Sequence, residues 1–303
     1  MKPVKQIDIK PDMKVSELIN EMQQSGVMGA GRIGRAAEIM QKMFSDKDCK
    51  VFFGFAGAMV PGGMKNIIID LLKKDKIDVF VTTGANLTHD LIEALGFHHY
   101  KNESKENDEE LNKKGLDRIY DTLMQSEVYQ KLEDFFDKHF KELSKEKLNI
   151  KEFLWKLGSL VESDNSILKT CYEKKIPIFC PAISDSGIGL MIWNHIAKGD
   201  KIEVDTFDDL KEILDISWTS KKSGVIYIGG GVPKNYIQQA MQLTKGASYG
   251  IQITTDRPES GGSSGAPLQE GISWGKMNPK ADFVDVICDA TIAFPLIISA
   301  FNL

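Results

Sequence analysis

The chain has 303 residues, of which 42% are hydrophobic and 27% charged, a composition typical of a globular protein. Its length allows one large α/β domain or two closely packed ones. The 38 basic residues against 43 acidic ones give a net charge of −5, and without a basic block we exclude non-specific nucleic-acid binding as the main function.

The N-terminal part, residues 1–48, is predicted to be helical. Its first residues contain no apolar core typical of a signal peptide, and no stretch reaches about 18 apolar residues, so we expect a soluble cytoplasmic protein without a membrane partner. Residues 15–24 carry apolar side chains at helical spacing, and Gly26 is expected to end that helix.

Gly29, Gly31 and Gly34 form a formal match to the GxGxxG dinucleotide fingerprint. The fingerprint requires a strand before it and a helix after it, whereas here a predicted helix comes first. A dinucleotide site and a glycine-rich turn between two helices both remain open, and the pattern favours the turn, followed by a helix over residues 35–44.

Four strand–turn–helix units follow along the chain. Short apolar runs predict strands at residues 50–55, 78–81, 177–180 and 224–228, and each run enters a turn that precedes a helix. Strands that alternate with helices predict a parallel sheet covered on both faces, that is, a doubly wound, Rossmann-like α/β fold.

Residues 101–165 are predicted to be a helical insertion in a single domain that spans residues 1–303. Residues 101–114 are polar and charged, which indicates a solvated loop or an exposed helix end. Residues 117–160 carry Leu, Phe and Tyr at helical spacing and are predicted to form two or three helices beside the sheet.

The turns at the strand ends indicate where a ligand binds. Glycine-rich turns before helices let backbone amides approach a phosphate, and four of them at one sheet edge suggest a nucleotide-sized site as much as they suggest ordinary turns. Asp185 and Asp289 lie near predicted strand ends, where each could hold ribose hydroxyls or simply cap a helix. The five histidines lack the spacing of metal ligands, so no metal site is predicted. The four cysteines are widely spaced and are expected to be buried free thiols.

The stretch over residues 254–294 carries the strongest candidate for covalent chemistry. A Gly/Ser loop, residues 260–265, is followed by Glu270, Trp274 and Lys276, and then by an apolar run over residues 283–288 that predicts a buried strand. A lysine desolvated between an aromatic ring and such a strand would be a neutral amine nucleophile. Lys276 could equally be a solvated surface lysine after a turn.

These residues resemble the deoxyhypusine synthase family. The specific motif is SWGK at residues 273–276 with Glu270 before it and Asp289-Ala and Phe294-Pro295 after it. The triple-glycine turn at residues 229–231, the turn at residues 180–185, TTGAN at residues 82–86 and GLDRI at residues 115–119 follow the order expected for the family, so the resemblance covers nearly the whole chain from residue 29 onward.

The resemblance implies an NAD-dependent transfer of an aminobutyl group from spermidine, with Lys276 as covalent nucleophile. The acceptor it implies is the lysine of the hypusine-carrying translation factor, and the assembly is a homotetramer with active sites shared across a dimer interface. Glu270, Trp274, Asn235 and Ser263 would bind the polyamine. The residues that would bind NAD are Thr83, Gly84, Asp185, Gly229, Gly230, Gly231, Thr255, Ser264 and Asp289.

Four positions depart from the family pattern. Leu190, Ser260 and Ser263 replace aspartates of that pattern, and Asn235 replaces its histidine. A buried ammonium group without a carboxylate partner costs several kcal/mol, which is enough to change the choice of amine. Two further functions therefore stay open beside the translation-factor enzyme: a homospermidine synthase-like enzyme of small polyamines, and a non-catalytic regulatory relative.

Overall fold

A computed structural model describes residues 1–103 and 106–301 of the chain, which divide into two compact units. Unit 1 comprises Met1–Gly57, Lys74–Val81 and Leu210–Leu303, and unit 2 comprises Ala58–Lys73 and Thr82–Asp209. Among the described residues, none of the helices combines the length and the apolar character that crossing a membrane requires.

The helices and strands have the following bounds. The helices are α1 (Val15–Ser25), α2 (Met28–Ser45), α3 (Lys65–Lys73), α4 (Gly84–Ala94), α5 (Asp108–Lys113), α6 (Val128–Leu143), α7 (Ile150–Ser159), α8 (Ile167–Lys174), α9 (Gly187–Ala197), α10 (Phe207–Thr219), α11 (Gly231–Gln242), α12 (Glu270–Ser273) and α13 (Ala290–Ser299). The strands are β1 (Cys49–Phe55), β2 (Val79–Thr82), β3 (Tyr100–Lys101), β4 (Leu116–Ile119), β5 (Thr122–Gln125), β6 (Leu148–Asn149), β7 (Ile178–Phe179), β8 (Val204–Asp205), β9 (Lys222–Ile228), β10 (Ala247–Thr254) and β11 (Met277–Ile287).

The sheet of unit 1 has the strand order β11-β10-β9-β1-β2. β1 pairs with β9 in parallel, with Val51 opposite Gly224, and β10 runs parallel to both β9 and β11. The buried strands are rich in Val, Ile and Phe, as expected for a sheet covered on both sides. The predicted parallel α/β sheet is confirmed, and β11 starts earlier than the predicted strand, directly after Lys276.

Helices cover both faces of this sheet. This follows from β1, where two neighbouring residues face different helices. The ring of Phe53 lies 5.9 Å from the ring of Phe294 in α13. A β-carbon on Gly54 would instead contact Ile237 of α11. Successive strand residues point to opposite faces, so α13 and α11 lie on opposite sides. The helix α2 contacts α13 and the strands β10 and β11, which places it on the α13 side.

The GxGxxG segment lies inside α2, so the prediction of a turn at Gly29–Gly34 is wrong in its position. The turn comes earlier, at Gly26, which ends α1 with a left-handed backbone conformation. A β-carbon on Gly31 would overlap the backbone of Gly26, and one on Gly34 would overlap the backbone of Gln23. These glycines therefore allow α1 and α2 to pack in close contact, and the segment is not a strand-to-helix turn.

Unit 2 contains the predicted insertion, which is partly helical and partly β. The helices α6 and α7 form as predicted, with their apolar faces buried. Residues 117–125 belong to the stretch that was predicted to form helices, but residues 116–125 form the antiparallel hairpin β4–β5, which β3 extends to three strands. Gly115 and Tyr120 adopt left-handed backbone conformations, φ 67° and 54°, which start and close this hairpin. That turn geometry overrides the helical spacing of the sequence.

The four cysteines are free, as predicted, but only two of them are buried. Cys171 and Cys180 lie in the core, whereas Cys49 and Cys288 are partly accessible. Burial raises the pKa of the Cys180 thiol to about 12, so this thiol stays protonated and unreactive at neutral pH.

Candidate active site

Three predicted ligand-binding segments leave the same edge of the unit 1 sheet. The Gly229 amide donates to the carbonyl of Ile253 in β10 at 2.8 Å, and the Cys288 amide donates to the carbonyl of Thr254 at 3.2 Å. The triple-glycine turn, Thr255 and Asp289 therefore follow the carboxyl ends of three neighbouring parallel strands. Ligands of open α/β sheets bind at this edge.

The triple-glycine turn packs directly against the Gly/Ser loop. A β-carbon on Gly230 would overlap Cα and Cβ of Ser264, so only glycine fits at this position. The Ser263 hydroxyl donates to the carbonyl of Gly231 at 3.4 Å, the outer limit of a hydrogen bond. Four residues predicted to bind cofactor or substrate, Gly230, Gly231, Ser263 and Ser264, are thus brought together.

The start of α11 has free backbone donors that could bind an anion such as a phosphate. Gly229 and Gly231 adopt φ of 71° and 56°, and the N-cap residue Gly230 has no side chain that could cap the first helical turn. Backbone N–H groups at such a helix start are anion-binding donors. The helix that follows β11 is capped, unlike α11: the Asp289 carboxylate caps α13 by accepting a hydrogen bond from the Thr291 amide at 2.7 Å.

Lys276 and its neighbours follow α12. The Lys276 ammonium lies 5.0 Å from the centroid of the Trp274 ring, a cation–π contact, and the Lys276 amide donates to the Gly271 carbonyl at 2.8 Å. The Lys276 side chain is half-buried, while Trp274 is 56% exposed and Glu270 is also exposed. The dry pocket expected beside Trp274 is therefore not formed by unit 1 alone.

Lys234 is a buried cation that sequence reasoning missed. It lies in α11 with only 1% of its surface exposed, and its ammonium donates to the carbonyls of Ser263 at 2.5 Å and Ala266 at 2.6 Å. Burial lowers its pKa to about 8, while the charges of Asp285 and Glu270 oppose this shift and that of Lys276 adds to it. The signal in the sequence is its spacing: Lys234, Ile237, Gln238 and Met241 share the buried face of α11.

Unit 2 holds the remaining predicted cofactor residues. Thr83 caps α4 by accepting from the Asn86 amide at 3.3 Å, and a β-carbon on Gly84 would overlap the side chain of Ser186. The helix α9 is capped by Ser186 and not by Asp185, whose side chain is exposed. The N-cap role considered for Asp185 is thus wrong, and the predicted cofactor set is divided between the two units.

The positions that depart from the family pattern are solvent-accessible to different degrees. Leu190 is 53% exposed on α9 in unit 2. In unit 1, Asn235 is half-buried in α11, and Ser260 is exposed at the end of a single 3-10 turn, Pro258–Ser260. None of these three side chains can carry a negative charge at neutral pH.

A cavity of about 690 Å³ in unit 1 borders the Gly/Ser loop at Gly265. Its wall includes Arg32, Arg35, Arg257, Gln252 and Asp285, and it contains none of the residues predicted to bind NAD or polyamine. In this wall the three arginines outnumber the two carboxylates, Asp256 and Asp285, so the cavity is not suited to a polycation. We therefore place the candidate site at the strand ends and not in this cavity.

Comparison with known proteins agrees with the motifs. The family model of deoxyhypusine synthase matches residues 17–301. The chain is 46% identical over 299 residues to "Probable deoxyhypusine synthase 1" of Methanosarcina acetivorans, covering 98% of this chain and 94% of that protein. It is 38% identical over 298 residues to "Probable deoxyhypusine synthase" of Methanothermobacter thermautotrophicus, covering 98% and 96%.

A solved structure supports the fold. The crystal structure of a candidate deoxyhypusine synthase from Entamoeba histolytica aligns with a TM-score of 0.67 at 21% identity, covering 98% of this chain and 96% of that one. At this identity the likeness establishes the architecture only. The family model and the curated relatives extend over almost the whole length, and the chain therefore belongs to the deoxyhypusine synthase family, a family of aminobutyl-transferring enzymes.

Proposed function

We propose that the chain is an NAD-dependent aminobutyl transferase in which Lys276 carries the aminobutyl group as an imine. The observation that carries the proposal is that Lys276, in its SWGK motif, follows α12, and α12 in turn follows the Gly/Ser loop that packs on the triple-glycine turn. A nucleophilic amine and a phosphate-binding turn are thus parts of one connected structure in unit 1.

The proposed reaction balances as follows. NAD, when bound, supplies oxidation of an amine carbon of spermidine by taking up a hydride, and reduction at the end by returning it. The neutral amine of Lys276 adds to the resulting carbon–nitrogen double bond, and 1,3-diaminopropane leaves, so that the butyl group is held by Lys276. The acceptor amine then displaces Lys276, which regains its free amine.

The neighbours of Lys276 have distinct proposed roles. Glu270 offers an exposed carboxylate for an ammonium group of the substrate, and the Trp274 ring offers a face for a cation. The 56% exposure of Trp274 supports the idea that another chain completes the site, as in the homotetramer proposed here. Closure by that chain would remove water from Lys276 and favour the neutral amine.

NAD would be held by the residues at the strand ends. In unit 1 these are the backbone amides of Gly229–Gly231 together with Thr255, Ser264 and Asp289. The same role for Thr83, Gly84 and Asp185 of unit 2 stays a prediction. The uncapped start of α11 supports this assignment, because a phosphate can supply the missing acceptor. The four free cysteines support a cytoplasmic location, where thiols stay reduced.

The proposed acceptor is the lysine of the hypusine-carrying translation factor. A second candidate, a homospermidine synthase-like reaction with putrescine as acceptor, stays open because Leu190, Ser260 and Ser263 stand where the family pattern has aspartates, which changes the charge of a site for cations. The two reactions share every step up to the final transfer.

The test is transfer of label from radiolabelled spermidine in the presence of NAD, with the translation factor or putrescine as acceptor. We expect Lys276→Ala to abolish transfer while NAD affinity, measured by calorimetry, changes less than about threefold, because the glycine turns hold the cofactor. Lys280→Ala is the matched control, since Lys280 is an exposed lysine of β11. Full transfer by Lys276→Ala would contradict the proposal, and the labelled product identifies the acceptor.

A further inference from the structure

The segment between β10 and α12, residues 255–269, is mostly irregular and yet anchored by buried side chains. It includes the Gly/Ser loop and leads into Glu270 and Lys276. A β-carbon on Gly265 would overlap the backbone of Arg257, so the segment also folds tightly on itself. An irregular loop of this kind keeps one conformation only if surrounding groups satisfy its backbone.

Three side chains from three different elements bind the backbone of this segment. Lys234 of α11 donates to the carbonyls of Ser263 and Ala266. Gln252 of β10 donates to the carbonyl of Ser264 at 2.8 Å. Asp285 of β11 accepts from the Leu268 amide at 3.0 Å. All four hydrogen-bonded backbone positions therefore lie between residues 263 and 268, just before α12.

Lys234 makes the strongest of these contacts, because its ammonium group is charged and bridges two carbonyls three residues apart. Its side chain is fully buried and extends from α11, whose first residues form the triple-glycine turn. One cation thus ties the Gly/Ser loop to the helix that begins at the proposed phosphate site. Without it, two carbonyl oxygens would lose their donor.

We propose that Lys234 is a positioning residue, which holds the Gly/Ser loop and α12 so that Glu270 and Lys276 face the same ligand. The effect of Lys234 on the reaction rests on the proposed function, whereas its effect on the loop conformation does not. Lys234 itself does not act as the nucleophile, because its ammonium is enclosed and directed at Ser263 and Ala266. It acts through the loop that it holds.

The experiment compares backbone hydrogen exchange in the full-length wild type and in Lys234→Met, which keeps the apolar stem and removes the donors. We expect exchange over residues 255–276 to become about tenfold faster, with the rest of unit 1 unchanged. Lys65→Met is the matched control, since Lys65 is an equally buried lysine of unit 2 paired with Glu93. It should leave residues 255–276 unchanged.

Lys234→Arg restores the donors and should recover most of the protection against exchange. Lys234→Gln has a neutral donor and should give an intermediate exchange rate. If Lys234→Met does not fold, Lys234→Gln takes its place. Unchanged exchange over residues 255–276 in folded Lys234→Met, or in Lys234→Gln where that variant replaces it, overturns the proposal. The same change across all of unit 1 also overturns it, because that would be a general loss of stability.

Activity supplies the second readout. For the rate of label transfer at saturating spermidine, Lys234→Met should show a loss of about 10- to 100-fold, because a displaced nucleophile reacts slowly, and Lys234→Arg should recover most of it. If the wild type transfers no label, the proposed function fails while the exchange result still stands. If exchange changes but the transfer rate does not, the positioning role is wrong.

Discussion

Two lysines of unit 1 differ in what surrounds them, and this difference decides their roles. Lys276 is half-buried beside an exposed tryptophan, so ligand or another chain can reach it. Lys234 is enclosed, and burial lowers its pKa to about 8 from a usual value near 10.5. In the proposed reaction, therefore, Lys276 and not Lys234 carries the aminobutyl group.

The lowered pKa of Lys234 predicts a pH dependence of stability. Between about pH 8 and pH 10.5 the unfolded chain keeps the proton on this lysine, whereas the folded chain has lost it, so the free energy of unfolding rises with pH in that window. The contribution is on the order of 3 kcal/mol at most. Below pH 8 both states are protonated, and this contribution no longer changes.

Urea unfolding from pH 7 to pH 10.5 measures this effect as the difference in the free energy of unfolding between the wild type and Lys234→Met. The wild type should gain stability relative to Lys234→Met as the pH rises through the window. A constant difference across the whole range would show that Lys234 titrates normally in the fold.

The lysine at position 234 also shows why local sequence reading missed part of the site. A lysine after a glycine turn is usually exposed. Its helical spacing with Ile237, Gln238 and Met241 was present in the sequence, but the two carbonyls that it binds come from a loop about thirty residues later, beyond the reach of periodicity. Lys276, by contrast, stands in a short motif and was predicted directly.

Among the elements, strands were predicted better than the segments around glycine. Runs such as residues 224–228 are continuous and apolar, and burial on both faces of a parallel sheet requires such runs. A glycine in the sequence does not by itself predict one structure, because glycine occurs both in turns and where two helices pack closely. The predicted turn at residues 29–34 was wrong because Gly34 serves close helix packing. The helical prediction was wrong over residues 117–125 because the backbone conformation at Gly115 starts a hairpin.

The two roles of glycine in α2 can be separated by substitution. Gly34→Ala should destabilise unit 1 by about 1–3 kcal/mol, because its β-carbon overlaps the backbone of Gln23. Gly29 lies in the same helix, and a β-carbon there meets no described atom within 4 Å. Gly29→Ala should therefore stabilise by about 0.5–1 kcal/mol through helix propensity.

Chemical denaturation measures the free energy of unfolding of each variant relative to the wild type. Equal and small effects would contradict the close packing of α1 on α2, as would destabilisation by Gly29→Ala alone.

For the whole molecule, family membership and the accessible site residues lead to the same chemistry. The relatives match along almost the entire chain, and the lysine that we propose as nucleophile stands in the SWGK motif at residues 273–276. Leu190, Asn235 and Ser263 differ from the family pattern. We therefore propose that the transfer chemistry is kept, while the label-transfer assay identifies the amine donor and acceptor.

The central claim is that Lys276 becomes covalently attached to the transferred group. Incubation with NAD and labelled spermidine, reduction with borohydride and peptide mapping test it most directly. The account predicts a reduced aminobutyl adduct on Lys276 that requires NAD. Its absence with every common polyamine, or an adduct on a different lysine, would contradict the account.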